Sequence, residues 1–365
     1  MRSAATLTLL AMMITGLHAG NTPERSAAFT GWNRFEEWSR DRNGRIDRLE
    51  SPIVTNAPWT ELVASWNVEC PPGTGIQIET RAVFADHDSR YFTLGRWAAE
   101  NGSYPRQSVP GQKDDDGEVQ TDTLVLKHPA TGVRVRLTLQ ANDQGQFPRL
   151  KFVGLSLSQP EPASPPLPPM RSAWGVSLPV PERSQAIYPE GVSAWCSPTS
   201  VSMIMAYWAA KLGRPELDIP VPEVVKEVND PQWPGTGNWV FNTAFPGSFP
   251  GLRAYVARFT DLSELEEWVA CGVPVAMSVS YDWLRGKPVR RPSDGHLVVC
   301  VGFTKEGEVI VNDPGTREHV QKTFPREDVQ KAWTRSHQTV YLIYPEDWKI
   351  PANLRGHWFA EPPKP

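Results

Sequence analysis

The sequence predicts two domains of different class: an all-β sandwich or jelly-roll-like domain, then an α+β domain. Three observations carry this. Apolar and polar residues alternate with period two in several runs between Leu62 and Leu157. The stretch Gln159 to Met170 (QPEPASPPLPPM) follows, and such a run is an extended spacer, neither helix nor central strand. Beyond it an apolar pattern of helical spacing comes first, and short apolar strand-like runs come afterwards. A chain of 365 residues also favours two cores over one.

Composition narrows the function classes. The formal net charge is −4, which makes no case for nucleic acid as a partner. Arg2, the apolar run Ala4 to Leu17 and the small-residue site Leu17-His18-Ala19 read as a secretory signal peptide over residues 1–19. No later apolar run is long enough to cross a bilayer, so a secreted or periplasmic protein without a membrane anchor is expected. Cys70, Cys196, Cys271 and Cys300 are too few for a dense disulfide framework. Cys271 and Cys300 would fall out of register on neighbouring antiparallel strands, and small buried thiols are the simpler expectation.

The first domain is expected over residues 28–158. Leu62, Ala64, Trp66, Val68 and Cys70 alternate with mostly polar neighbours, as do Val133, Val135, Leu137 and Leu139, then Val153, Leu155 and Leu157. Such alternation predicts one buried and one wet face. Further strands are expected at Ile76 to Phe84, Arg90 to Trp97 and Val119 to Lys127. Asp86-His87-Asp88 and the run Asp114, Asp115, Asp116 and Glu118 offer carboxylates, and Asp41, Asn43, Gly44 and Asp47 hint at a calcium loop. The spacing of a calcium-binding loop is not met, so solvated turns are expected, with no metal and no cofactor. A glycan or cell-surface ligand is raised here only by analogy of fold.

After the linker at 159–172, the second domain is expected over 173–348, with a tail at 349–365. Val201, Ile204, Met205 and Trp208 mark one face of a helix running from Cys196 to Lys211, with Pro198 in its first turn. A shorter helix is expected from Pro222 to Asn229. Pro231 to Gly251, with Gly235-Thr236-Gly237-Asn238-Trp239, reads as a long aromatic loop. Trp195, Asn238 and Trp239 are candidates to line a binding groove, although Trp239 and Phe241 could equally cap the core. Ser263 with Glu266 reads as a capping box opening a helix to Ala270. Strands are expected at Val273 to Ser280, His296 to Phe303, Val309 to Val311 and Thr339 to Tyr344, and a helix at Glu327 to Trp333.

The chemistry centres on Cys196. At a helix N-terminus the peptide dipoles and free N–H groups favour a thiolate, which makes this Cys a candidate nucleophile. A thiolate needs a base, and the base an orienting group. His296 opens one apolar strand and Asp313 closes the next, 17 residues on. A hairpin between those strands would bring them together.

The motifs Trp195-Cys196-Ser197-Pro198-Thr199-Ser200, Gly295-His296-Leu297-Val298-Val299 and Asn312-Asp313-Pro314 resemble the papain-like cysteine peptidases of family thirty-nine. The bacteriocin-processing peptidases are its best-known members, and this chain looks like a secreted branch. The resemblance spans Trp174 to Trp348. It implies Cys196 as nucleophile, His296 as general base and Asp313 as orienting residue, acting on peptide or protein substrates. Amidase or acyl-transfer chemistry shares the same acyl-enzyme. Papain-like enzymes usually place a Gln six residues before the Cys, and Glu190 stands there. Gln185 can serve the oxyanion if the intervening loop bulges. The second reading is a weak or inactive papain-like domain in a cell-surface or carbohydrate-binding protein.

Overall fold

The computed structural model describes residues 27–100, 102, 104–158, 167–233, 235–289 and 294–360. The expected signal peptide, residues 159–166 of the linker and residues 361–365 of the tail lie outside the described residues. Strands β1 (Ala27–Trp32), β2 (Ser39–Asn43), β3 (Ile46–Glu50), β4 (Val54–Glu69), β5 (Gly75–Val83), β6 (Phe92–Trp97), β7 (Gly117–Gln120), β8 (Thr123–Gln140) and β9 (Arg149–Ser158) form the first part. All pair antiparallel into one sheet, in the order β1-β9-β4-β8-β3-β2, with β5, β6 and β7 on the other side of β8. The long strands β4 and β8 carry register shifts between Thr55 and Glu61, and such irregularities bend a strand. The sheet therefore curls on itself, and the pairing gives one curled sheet where a sandwich of two sheets or a jelly roll was expected.

The α+β part follows as α1 (Cys196–Leu212), α2 (Val221–Val228), α3 (Trp239–Gly247), β10 (Leu252–Arg258), α4 (Leu262–Ala270), β11 (Val275–Ser280), α5 (Tyr281–Leu284), β12 (Gly295–Phe303), β13 (Val309–Asn312), β14 (Gln321–Phe324), α6 (Arg326–Trp333) and β15 (Thr339–Pro345). Its antiparallel sheet runs β10-β15-β11-β12-β13-β14. Helix α1 packs on that sheet and ends at Gly213, whose φ of 63° is the left-handed conformation that closes a helix. From Ser197 to Ala209 every residue of α1 is buried, so the expected amphipathic helix is a central one. Two of its polar residues on that path are bonded internally, Ser197 Oγ to Tyr341 Oη at 2.9 Å and Ser202 Oγ to the Ile219 carbonyl at 2.6 Å, while the buried Thr199 and Ser200 hydroxyls find no partner among the described residues.

Two local expectations need correction. The aromatic stretch after Pro231 is not all loop: Asn238 caps α3 by accepting the Phe241 N–H, and Phe241 wedges between Trp66 and Trp97. Helix α4 begins one turn-position earlier than its expected cap. Asp261 accepts the Ser263 N–H, and Glu264 reaches back to the Thr260 N–H. Glu266 is instead buried, where it binds Trp174 Nε1 at 2.8 Å and the Met170 N–H at 2.5 Å. The acidic runs of the first part are engaged in ion pairs, with Arg81 on Asp88, Arg90 on Asp114, and Arg40 and Arg42 on the buried Asp47. All four cysteines are free.

The two sheets share one core. In β4 and β9 the alternation predicted a wet face, yet Leu62 to Val68 and Phe152 to Ser158 are buried on both sides. The cause is β10, the edge strand of the second sheet, which lies against β4 and β9. An exposed strand edge carries unpaired N–H and C=O groups. Here Asn67 of β4 donates to the Ala254 carbonyl at 2.6 Å and accepts the Ala254 N–H at 3.0 Å, while Ser65 accepts the Val256 N–H at 2.9 Å. Gly247 permits this approach, since a Cβ there would lie 2.1 Å from Asn67 Nδ2. Glu61 of β4 clasps Arg258 of β10 at 2.7 Å and His337 at 3.1 Å. Burial opposes its ionisation, but His337 and Arg258 win and hold the Glu61 carboxyl down at about 2. The segment before residue 361 is also packed: His357, Trp358 and Phe359 are buried, and Phe359 meets Phe152 at 5.0 Å.

Asn67→Ala leaves the Ala254 N–H and C=O buried without partners. At about 1–3 kcal/mol for each orphaned group, it should destabilise the fold by roughly 2–6 kcal/mol. Urea unfolding followed by Trp fluorescence measures this, and a loss below ~0.5 kcal/mol would show that the sheets do not depend on the bridge.

Candidate active site

Cys196 is the first residue of α1, with Trp195 as its cap and no acidic side chain in the first turn. The N-terminal N–H groups and helix dipole are therefore uncompensated there, which favours an anion. The following residues plunge into the core, whereas Cys196 itself is only partly buried. His296 is the second residue of β12, opposite Val279 of β11, and is 5% exposed. Asp313 follows the last residue of β13 and is fully buried. Pairing of β12 with β13 brings the two ends together, and His296 Nε2 meets Asp313 Oδ1 at 2.8 Å. With Nε2 so engaged, Nδ1 is the ring nitrogen left to face Cys196, on whose thiol the imidazole acts.

Residues that the sequence reading passed over complete this cluster. Asp313 Oδ1 also accepts the Gly315 N–H at 2.8 Å, and Oδ2 accepts Lys322 Nζ at 2.8 Å and Tyr281 Oη at 3.2 Å. The Tyr281 ring lies 4.1 Å from the imidazole, centroid to centroid. Gly315 allows the turn to close over both groups, since a Cβ there would sit 2.8 Å from Tyr281 Oη and 3.1 Å from His296 Cε1. Lys322 lies on β14, a short edge strand without a strong alternation signal, and Tyr281 is the first residue beyond β11. Proximity of Tyr281 to His296 follows from the β11–β12 register, which no linear motif displays.

The electrostatics are coupled. Burial works against the Cys196 thiolate, but the hydrogen bond and charge of His296 outweigh it, helped by the backbone at Leu297 and Ser197, so the thiol is held below its ordinary value. Burial likewise works against the His296 imidazolium, but Asp313 and Cys196 raise it to about 9. Asp313 also pays desolvation, and His296, Lys322 and the Gly315 N–H together hold it well below the usual carboxylate range. Such a set can keep a thiolate and an imidazolium side by side at neutral pH.

Gln185 is buried in a single 3-10 turn, Gln185–Ile187. Its N–H donates to the Pro314 carbonyl at 3.0 Å, next to Asp313, and Nε2 donates to the Val192 carbonyl at 3.0 Å. From Tyr188 to Trp195 the chain folds into successive turns, with the N–H groups of Tyr188, Gly191, Ala194 and Trp195 returning to carbonyls three or four residues back. Trp195 is partly buried and packs on Tyr188 at 5.6 Å. The Asn238 side chain is engaged within its own segment, and Trp239 is held through its backbone. The Asn238 amide donates to Asp230 Oδ2 at 2.9 Å while its oxygen caps α3, and the Trp239 N–H donates to Asp122 Oδ2 at 2.6 Å. Among the described residues, no group of three or more His, Cys, Asp or Glu side chains is arranged to hold a metal ion, and no helix is long and apolar enough to cross a membrane.

Comparison with known proteins places these features in a family. Residues 177–341 match the family described as "Peptidase_C39 like family", and residues 34–158 match "Peptidase C39 N-terminal domain". Uncharacterized proteins of Mycobacterium bovis and Mycobacterium tuberculosis are 32% identical over 85 residues, which is 21% of this chain and 37% of theirs. The chain thus spans little more than a third of the length of these curated relatives. Among solved structures, a candidate C39-like peptidase from Bacillus anthracis matches 47% of this chain and 95% of its own at 16% identity, with a TM-score of 0.32. A carbohydrate-binding module of the β-sandwich superfamily matches 36% of this chain and 52% of its own at 14% identity, with a TM-score of 0.16. The chain belongs, through residues 177–341, to the Peptidase_C39-like family, with a C39 N-terminal domain ahead of it.

Proposed function

We propose that this protein is an exported cysteine peptidase that hydrolyses peptide bonds through Cys196, His296 and Asp313. The observation that carries the reading is the buried His296–Asp313 pair at 2.8 Å, whose imidazole holds down the thiol of Cys196 at a helix N-terminus. In the first step the Cys196 thiolate attacks the substrate carbonyl carbon and a C–S bond forms. The tetrahedral intermediate collapses, the C–N bond breaks, and His296 delivers its proton to the leaving amine. Water then attacks the thioester, His296 takes its proton, and release of the acid restores the thiol pair. The Cys196 N–H and the Gln185 amide are the proposed donors to the oxyanion. Ile187 and Val192, both exposed on the turns leading to Cys196, offer apolar contacts to a peptide side chain. Export rests on the apolar N-terminal run of residues 4–17. The inactive-domain alternative is disfavoured by the paired state of all three side chains.

Cys196→Ala should abolish hydrolysis of a fluorescent casein substrate while leaving the melting temperature nearly unchanged, because the residue sits at a helix start and is only partly buried. Activity surviving in the purified variant would remove the thiol mechanism.

His296→Ala should abolish turnover, and Asp313→Asn should lower it less, because the carboxylate orients the imidazole without taking its proton. Steady-state rates of both variants decide this. An Asp313→Asn protein with full activity would mean that another group orients His296.

Gln185→Ala should lower kcat by about 10²–10³-fold with little change in KM, as expected for a donor used mainly in the transition state. If KM rises while kcat holds, Gln185 contributes to binding and not to the oxyanion.

A further inference from the structure

Asp313 carries two cations, and only one of them belongs to the reaction. His296 occupies Oδ1 at 2.8 Å, and Lys322 Nζ occupies Oδ2 at 2.8 Å. The carboxylate is fully buried, while the Lys322 side chain is about a quarter exposed at 27%. Lys322 reaches Asp313 because β14 pairs with β13 antiparallel, with Lys322 opposite Val311. Its ammonium binds the carboxylate oxygen of Asp313 that His296 does not.

Charge balance gives this contact a consequence. When the pair is ionised, Cys196 and Asp313 are negative and His296 and Lys322 are positive, so the cluster is neutral. Without Lys322 the thiolate would form beside a buried carboxylate with one cation between two anions, and like charges in a site disfavour each other's ionisation. The other charged and titratable groups about the pair are engaged. Tyr281 binds Asp313, and Arg285 stacks on Tyr281 at 3.9 Å. Asp294, two residues before His296, holds Ser280 and Arg335. Glu182 accepts the Gln321 N–H beside Lys322.

We propose that Lys322 is a positioning residue that offsets the charge of Asp313 and thereby sets the pH window in which Cys196 and His296 exist as a thiolate–imidazolium pair. The proposal rests on the peptidase reading above. The sign is fixed by elementary electrostatics. A nearby positive charge lowers the pKa of the Cys196 thiol and of the His296 imidazolium alike. Its removal raises both, so both limbs of the activity profile move to higher pH.

The test uses the whole protein and two readouts. The rate of Cys196 alkylation by iodoacetamide, corrected with Cys196→Ser, follows thiolate formation without any need for a substrate. The pH profile of casein hydrolysis gives both limbs. Lys322→Met and Lys322→Gln should shift the alkylation midpoint and both hydrolysis limbs upward by about half to one pH unit, since the lost charge acts on the pair from beyond Asp313 and not by direct contact. Lys322→Arg should leave them in place. Limbs that stay put in Lys322→Met and Lys322→Gln would overturn the proposal. So would a failure of both to fold while Lys322→Arg folds, because the lysine would then be needed by β14 and not by the pair. A wild-type Cys196 inert to iodoacetamide at mildly acidic pH would overturn the peptidase reading itself.

Discussion

A buried carboxylate that must stay charged organises this half of the molecule. Asp313 lies out of contact with solvent, where an unpaired anion would cost several kcal/mol, and it is held by four donors from four separate segments. Each donor depends on a different part of the fold. His296 needs the β12–β13 pairing, Gly315 the turn after Pro314, Lys322 the edge strand β14, and Tyr281 the end of β11. The site is therefore as rigid as the sheet that carries it. Cys196 arrives from a different layer, at the start of a helix buried from Ser197 to Ala209.

The same economy appears where the two sheets meet. β10 would be an open edge in an isolated α+β domain, but Asn67 and Ser65 of β4 satisfy its backbone with side chains that imitate a neighbouring strand. Glu61, Arg258 and His337 add an ion cluster, and Phe152, Tyr255 and Phe359 interleave across the junction. Asp122 of the first part accepts the N–H of Trp239 at the start of α3. The first part thus packs into the core of the second. A ligand for its outer face would have to use what remains of its surface after β4 and β9 are covered.

The sequence misread these elements for one physical reason. Alternation reports which face of a strand can be polar, not which face is wet. Ser65, Asn67 and Ser156 stand at the polar positions of β4 and β9, yet they are buried because β10 gives two of them backbone partners. In α3, the Asn238 cap was present in the sequence, but Gly235, Gly237 and Pro246 around it argued for a loop. Packing of Phe241 against Trp66 and Trp97 outweighs that local preference.

By itself the sequence determined several of the strands, the helix that starts at Cys196, and the strand ends that carry His296 and Asp313. Those features are local: helical spacing, a proline in the first turn, and short apolar runs bounded by turns. Only the tertiary structure decided which groups surround them. Lys322 and Tyr281 are separated by 41 residues and bind the same oxygen of Asp313 because β14 pairs directly with β13 while β12 joins β13 to β11. Sheet order and register set that meeting, and they arise from long-range pairing that leaves no periodic trace in the chain.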